Sequence, residues 1–228
     1  QAAHYAQPGE VVLSAAAWDI LRDRGRGQPL PAGCQRLDEL AALTPCPAPP
    51  LALRTEMAEA MRVYLPGAVR ARLAAGHDAW LGELRRITVL FLNLPDVHYA
   101  TSITDAQRIM RALQATLYRY EGSVNKLSVD DKGVTLVAAL GLAPLAHEDD
   151  PMRGVQAALA MQEALRALGL RWAIGVTTGR VFCGIIGNAT RQEYTIIGDA
   201  VNLAARLQQA ARGDVLCDGA TVQAVRGR

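Results

Sequence analysis

The chain has 228 residues, half of them hydrophobic, which is enough for one good core plus an appendage. Its 24 basic and 22 acidic residues leave a net charge of +2, which gives no strong electrostatic pull toward nucleic acid or a membrane surface. No apolar run is long enough to span a bilayer, and the four cysteines, Cys34, Cys46, Cys183 and Cys217, show no metal spacing and fit a reduced, cytoplasmic setting.

Gly9 to Trp18 reads as a glycine turn, a short apolar strand, a polar cap and a helix start. Gly213 to Val222 repeats that pattern, so the chain carries an internal repeat. Pro45, Pro47, Pro49 and Pro50 then break any regular structure. Met57 to Leu84 has helical spacing, interrupted at Leu65-Pro66-Gly67, which predicts two short helices.

The remainder alternates element types. Ile87 to Leu94 is an apolar, partly β-branched strand. Thr104 to Tyr120 is a helix with Ile109, Met110, Leu113 and Leu117 on one side. Ser123 to Val129 and Val134 to Leu140 are the arms of a hairpin whose turn is Asp130-Asp131-Lys132-Gly133. Asp150 caps a helix whose first position is Pro151 and which ends near Leu168. Trp172 to Thr177 and Val181 to Ile186 form a second hairpin around Thr178-Gly179-Arg180. Glu193 to Arg206 is a short strand, a tight turn and the first turns of a helix. The order predicts an α+β fold, a ferredoxin-like βαββαβ domain with an N-terminal strand/helix appendage. Its helices cover one face of the sheet and leave the other free to meet a partner or ligand.

Asn202 and Arg206 are four positions apart, so the last helix puts both on one face. An amide beside a guanidinium suits a sugar hydroxyl and a phosphate. The run around them resembles the class III adenylyl/guanylyl cyclase family. Tyr194, Thr195, Gly198, Val201, Asn202, Ala204, Ala205 and Arg206 stand at the spacing of its signature. Arg180 to Gly187 looks like the hairpin before that signature, His147 to Ala158 like the second core helix, and Leu84 to Leu94 like the first strand. The likeness is nearest to the second half of soluble, bicarbonate-responsive adenylyl cyclases and their bacterial relatives.

The resemblance implies three regions: the tail of a preceding cyclase half at 1–45, a proline-rich break and helical linker at 46–84, and a second-half cyclase domain at 85–228, cut short at its end. It also implies a division of roles. Asn202 would orient the ribose and Arg206 would stabilise the pentavalent phosphate, while Lys126 and Thr195 would read adenine. A lysine donor with an oxygen acceptor suits adenine's N1 acceptor and N6 donor.

The metal side departs from the pattern. Asn93, in Phe91-Leu92-Asn93, stands where the family has the first metal carboxylate, and an amide is a poor substitute for it. Asp130 or Asp131 would supply the second, from a turn longer than the family's usual one. The implied reaction is conversion of ATP to cyclic AMP and pyrophosphate. Mg2+ or Mn2+ would be held mainly by a complementary half, intramolecular in the parent protein. Two copies of this chain can pair but would lack metals in both sites, so the isolated chain is expected to be inactive. Neither nucleic acid nor membrane is an expected partner. The alternative is a non-catalytic, nucleotide-sensing regulatory module.

Overall fold

The computed structural model describes residues 2–42, 54–65, 67–74, 82–188 and 192–226. The proline-rich break lies outside the described residues, as does Pro66. Two compact units result, Gln1–Leu53 and Arg54–Arg228.

In the first unit, strand β1 (Val11–Leu13) leads through Ser14 into helix α1 (Ala15–Leu21). Strands β2 (Gly25–Pro29) and β3 (Gln35–Leu40) complete an antiparallel sheet of order β1-β3-β2. The second unit opens with the two short helices the interruption predicts, α2 (Thr55–Met61) and α3 (Gly67–Ala74).

Then follow β4 (Glu83–Leu94), α4 (Ile103–Tyr118), β5 (Ser123–Asp130), β6 (Gly133–Leu140) and α5 (Asp150–Ala167). After them come β7 (Ala173–Gly187), β8 (Gln192–Ile197), α6 (Asp199–Ala210), β9 (Val215–Cys217) and α7 (Gly219–Arg226). The sheet order is β5-β6-β4-β7-β8, with β9 parallel to the start of β7. The elements β4-α4-β5-β6-α5-β7 are the ferredoxin-like βαββαβ unit that the order of elements predicts. The internal repeat is visible in the backbone. Gly9 and Gly213 both have positive φ, +88° and +85°, and each precedes a three-residue strand. Ser14 Oγ then accepts from Ala17 N–H, and Asp218 Oδ1 from Thr221 N–H.

Alternation along β4 divides the core. Leu90, Leu92 and Leu94 face α4 and α5, where they meet Leu113, Leu117, Met161 and Leu165. Ile87 and Val89 face the other way and pack with Val137, Val181, Cys183 and Ile196. Ala204 of α6 joins that second cluster. The second face is therefore not left free, as element order alone suggests: α6 lies on it, along β7.

Two local expectations are also corrected. Thr178-Gly179-Arg180 is not a turn. It runs straight through β7, paired with Thr88, Ile87 and Arg86 of β4. A glycine inside a strand marks a close approach as readily as a bend, and a Cβ at Gly179 would stand 2.9 Å from Ala200 Cβ of α6. The second correction concerns α5, which begins at Asp150 rather than after it. The Asp150 carboxylate accepts from His147 N–H at 2.9 Å, while Asp149 in the cap position makes no side-chain cap bond. The turn read between β5 and β6 closes as a two-residue loop, Asp131-Lys132, between the paired Asp130 and Gly133.

Candidate functional site

β7 outruns its neighbours on one edge. β9 pairs with Ile174–Val176 and β8 with Phe182–Gly187. Among the described residues no strand covers the edge between them. The notch is the floor of a cleft of about 450 Å3, lined by Thr178, Gly179, Arg180, Asp199, Asn202 and Arg206, among others. Asp218 borders it and satisfies the bare edge: its Oδ1 accepts from the Thr178 backbone N–H at 3.3 Å.

The strand sets the height of α6. A Cβ on Gly175 would run into the Ala204 carbonyl oxygen and stand 2.6 Å from the Gln208 nitrogen, so α6 lies directly on the β7 backbone. Thr177 Oγ1 donates to the Ala200 carbonyl at 2.7 Å and ties down the first turn. Behind the notch, a buried hydroxyl chain joins Thr88, Thr178 and Thr221, with spacings of 3.0 Å and 2.9 Å. These contacts present Asn202 and Arg206 side by side in the cleft. Both are exposed, and among the described residues neither side chain has a hydrogen-bond or ion-pair partner. Arg180 and Arg206 set two positive charges there against Asp199 and Asp218, beside the positive end of α6.

Lys126 and Thr195 do not line this cleft. Lys126 is exposed on β5, opposite Val137, which belongs to the second cluster, so it shares the α6 side of the sheet. Thr195 is half-buried opposite Gly184. The sheet curls enough for its edge strands to touch: Asn125 Nδ2 donates to the Tyr194 carbonyl at 3.4 Å. The segments that carry Lys126 and Thr195 therefore meet, through Tyr194 of the signature and through Asn125, which the sequence reading did not single out. Arg180, Asp199 and Asp218 were also not singled out. Asp199 is the first residue of the signature helix and Asp218 is a recognisable cap, but their convergence comes from strand pairing.

Asn93 shares the α6 face, at the far end of β4. Its Nδ2 donates to the Lys132 carbonyl at 3.1 Å and to the Val134 carbonyl at 3.3 Å. Asp130 Oδ1 accepts from Lys132 N–H at 2.8 Å. Of the residues expected near a metal, Asn93 and Asp130 thus help to shape the β5–β6 hairpin, and Asp131 stands exposed on its loop.

A family model described as the adenylate and guanylate cyclase catalytic domain matches residues 82–226. The chain belongs to this family. The human protein named adenylate cyclase type 10 is 34% identical over 149 residues, which is 63% of this chain and 9% of that protein. The chain therefore spans under a tenth of the length of that curated relative. The solved guanylyl cyclase Cya2 has a TM-score of 0.53 at 25% identity, covering 63% of this chain and 80% of the other. A bacterial light-regulated adenylyl cyclase has a TM-score of 0.63 at 18% identity, covering 75% and 54%, a likeness of fold alone.

Cyclases of this family generally use divalent metals. The residues of this cyclase domain do not fit one at the expected place. Asn93 brings no charge to it and its amide nitrogen donates to two carbonyl oxygens, Asp130 Oδ1 accepts from its own turn, and Asp131 is left as a lone exposed carboxylate on that loop. Among the described residues there is no cluster of three or more His, Cys, Asp or Glu suited to a metal.

Proposed function

We propose that this chain is one half-site of an adenylyl cyclase converting ATP to 3′,5′-cyclic AMP and pyrophosphate. It supplies base-binding and transition-state residues and leaves the metal carboxylates to a complementary half. The observation that carries the reading is the cleft at the notch of β7. Asn202 and Arg206 stand in it side by side with unengaged donors, one suited to a ribose hydroxyl and the other to phosphate oxygens. In the reaction the ribose 3′ oxygen attacks the α-phosphorus, loses its proton, and the bond to pyrophosphate breaks. Arg206 stabilises the charge that builds on the equatorial oxygens, and Asn202 orients the ribose. Lys126 and Thr195 select the base. The 34% identity to a protein named adenylate cyclase supports adenine over guanine.

The hydrogen bonds of Asn93 support a partner that brings the metal ligands. In the parent protein that partner is the half preceding this one, with residues 1 to about 45 as its tail. The shared turn, strand, cap and helix of the repeat support this division. Among the described residues no helix is long and apolar enough to cross a membrane.

The test has two arms. The pure chain with Mg2+ or Mn2+ should form no cyclic AMP. Co-expressed with a cyclase half that carries both metal carboxylates, it should form cyclic AMP, and Asn202→Ala or Arg206→Ala should lower kcat far more than they change KM. Cyclic AMP from the pure chain would reject the division of labour. ATP binding without turnover in the pair would carry the second reading, a nucleotide-sensing module, which the engaged amide of Asn93 favours.

A further inference from the structure

We infer that Asn125 is a positioning residue that sets the purine preference of this half-site, an inference that rests on the adenine-reading roles proposed for Lys126 and Thr195. The ladder between β5 and β6 is broken at one point. Ser123 opposes Ala139 and Val124 opposes Ala138, but the next paired residue is Lys126, opposite Val137. Asn125 is the extra residue of a β-bulge. In an unbroken ladder Asn125 would take the place opposite Val137, and Lys126 would oppose Leu136, which lies in the core beneath α4 and α5. A one-residue slip exchanges the faces of a strand. The bulge therefore gives Lys126 its place on the side that α6 and Tyr194 occupy.

The extra residue is itself engaged. Its amide donates to the Tyr194 carbonyl at 3.4 Å. That carbonyl belongs to the peptide unit joining Tyr194 to Thr195. One side chain thus fastens the neighbour of Lys126 to the backbone of Thr195, across two edge strands that no ladder joins. The bond thereby ties together the two backbones from which Lys126 and Thr195 extend. Adenine presents an acceptor at N1 beside a donor at N6, whereas guanine presents a donor at N1 beside an acceptor at O6. Discrimination between them requires the two protein groups to be held at a fixed spacing, because a pair free to drift can satisfy either edge in part. At 3.4 Å the bond is long, so its loss belongs in selectivity rather than in folding.

The test uses the chain paired with the metal-bearing half, with ATP and GTP as substrates. Asn125→Ala and the isosteric, donor-free Asn125→Asp should each lower the ATP-over-GTP ratio of kcat/KM about tenfold, mainly by raising KM for ATP, with kcat for ATP within about twofold. Lys126→Ala separates the two levels of the argument. If it collapses the ratio while both Asn125 variants leave it unchanged, Asn125 has no positioning role and the adenine reading stands. If it too leaves the ratio unchanged, the adenine reading fails and the inference falls with it. A second measurement needs no activity. Amide hydrogen exchange on the 228-residue chain should speed up in β8 for Asn125→Ala and stay unchanged in β4 and β6. Unchanged exchange in β8 overturns the clamp.

Discussion

Gly175→Ala tests the contact on which the cleft depends. The new Cβ would overlap the Ala204 carbonyl and stand 2.6 Å from the Gln208 nitrogen and 3.0 Å from Leu207 Cβ, where ordinary contact begins at 3.4 Å. The first two atoms are helix backbone, so no rotamer change relieves the overlap. α6 must lift off β7, which strains the Thr177–Ala200 hydrogen bond and the packing of Ala204 in the second cluster. Overpacking of this kind costs about 1–3 kcal/mol. For a domain of this size each kcal/mol lowers Tm by about 2–4 °C, so a fall of roughly 2–12 °C is expected. Urea denaturation should show a lower midpoint at unchanged slope. Nucleotide turnover in the paired enzyme should fall further than stability, because Asn202 and Arg206 ride on the displaced helix. Gly219→Ala is the control, since nothing lies within 4 Å of its Cβ. A Gly175→Ala chain with the stability and turnover of the parent would refute the claim that direct helix–strand contact sets the cleft.

Asn93→Asp should not create a metal site. It exchanges two N–H donors for carboxylate oxygens facing the Lys132 and Val134 carbonyls, so stability should drop by about 1–3 kcal/mol; a large rise in Tm on adding Mg2+ to the variant would contradict this. Thr178→Val should cost about 1–3 kcal/mol by leaving the buried hydroxyls of Thr88 and Thr221 without their shared partner; denaturation midpoints decide it. Burial pushes the Asp150 carboxyl above its ordinary range, against the opposing pull of the His147 N–H, His147 and Arg153. A raised carboxyl pKa means that the folded state disfavours the charged form. The penalty is absent below the unfolded pKa, grows as pH rises through the folded one and is complete above it. Asp150→Asn should therefore gain stability relative to the parent as pH rises through the carboxylate range and converge with it in acid; thermal melts across that range check the sign.

The sequence by itself determined the order of elements as far as α5, the βαββαβ unit and the identity of the cyclase signature. Periodicity, turn residues and caps are local properties, and Asn202 and Arg206 meet because four residues of helix bring them together. The place of α6 was not local. Thr178-Gly179-Arg180 carries a turn composition, yet it is strand, because β4 pairs along it and α6 needs the space above Gly175 and Gly179. Tertiary structure alone decided that Asp218 borders the cleft, that Asn125 is the extra residue of a bulge, and that Asn93 spends its amide on the hairpin. Each of these depends on strands far apart in sequence finding one register. Register is set by the summed burial of two sheet faces, and no short window of sequence contains that sum.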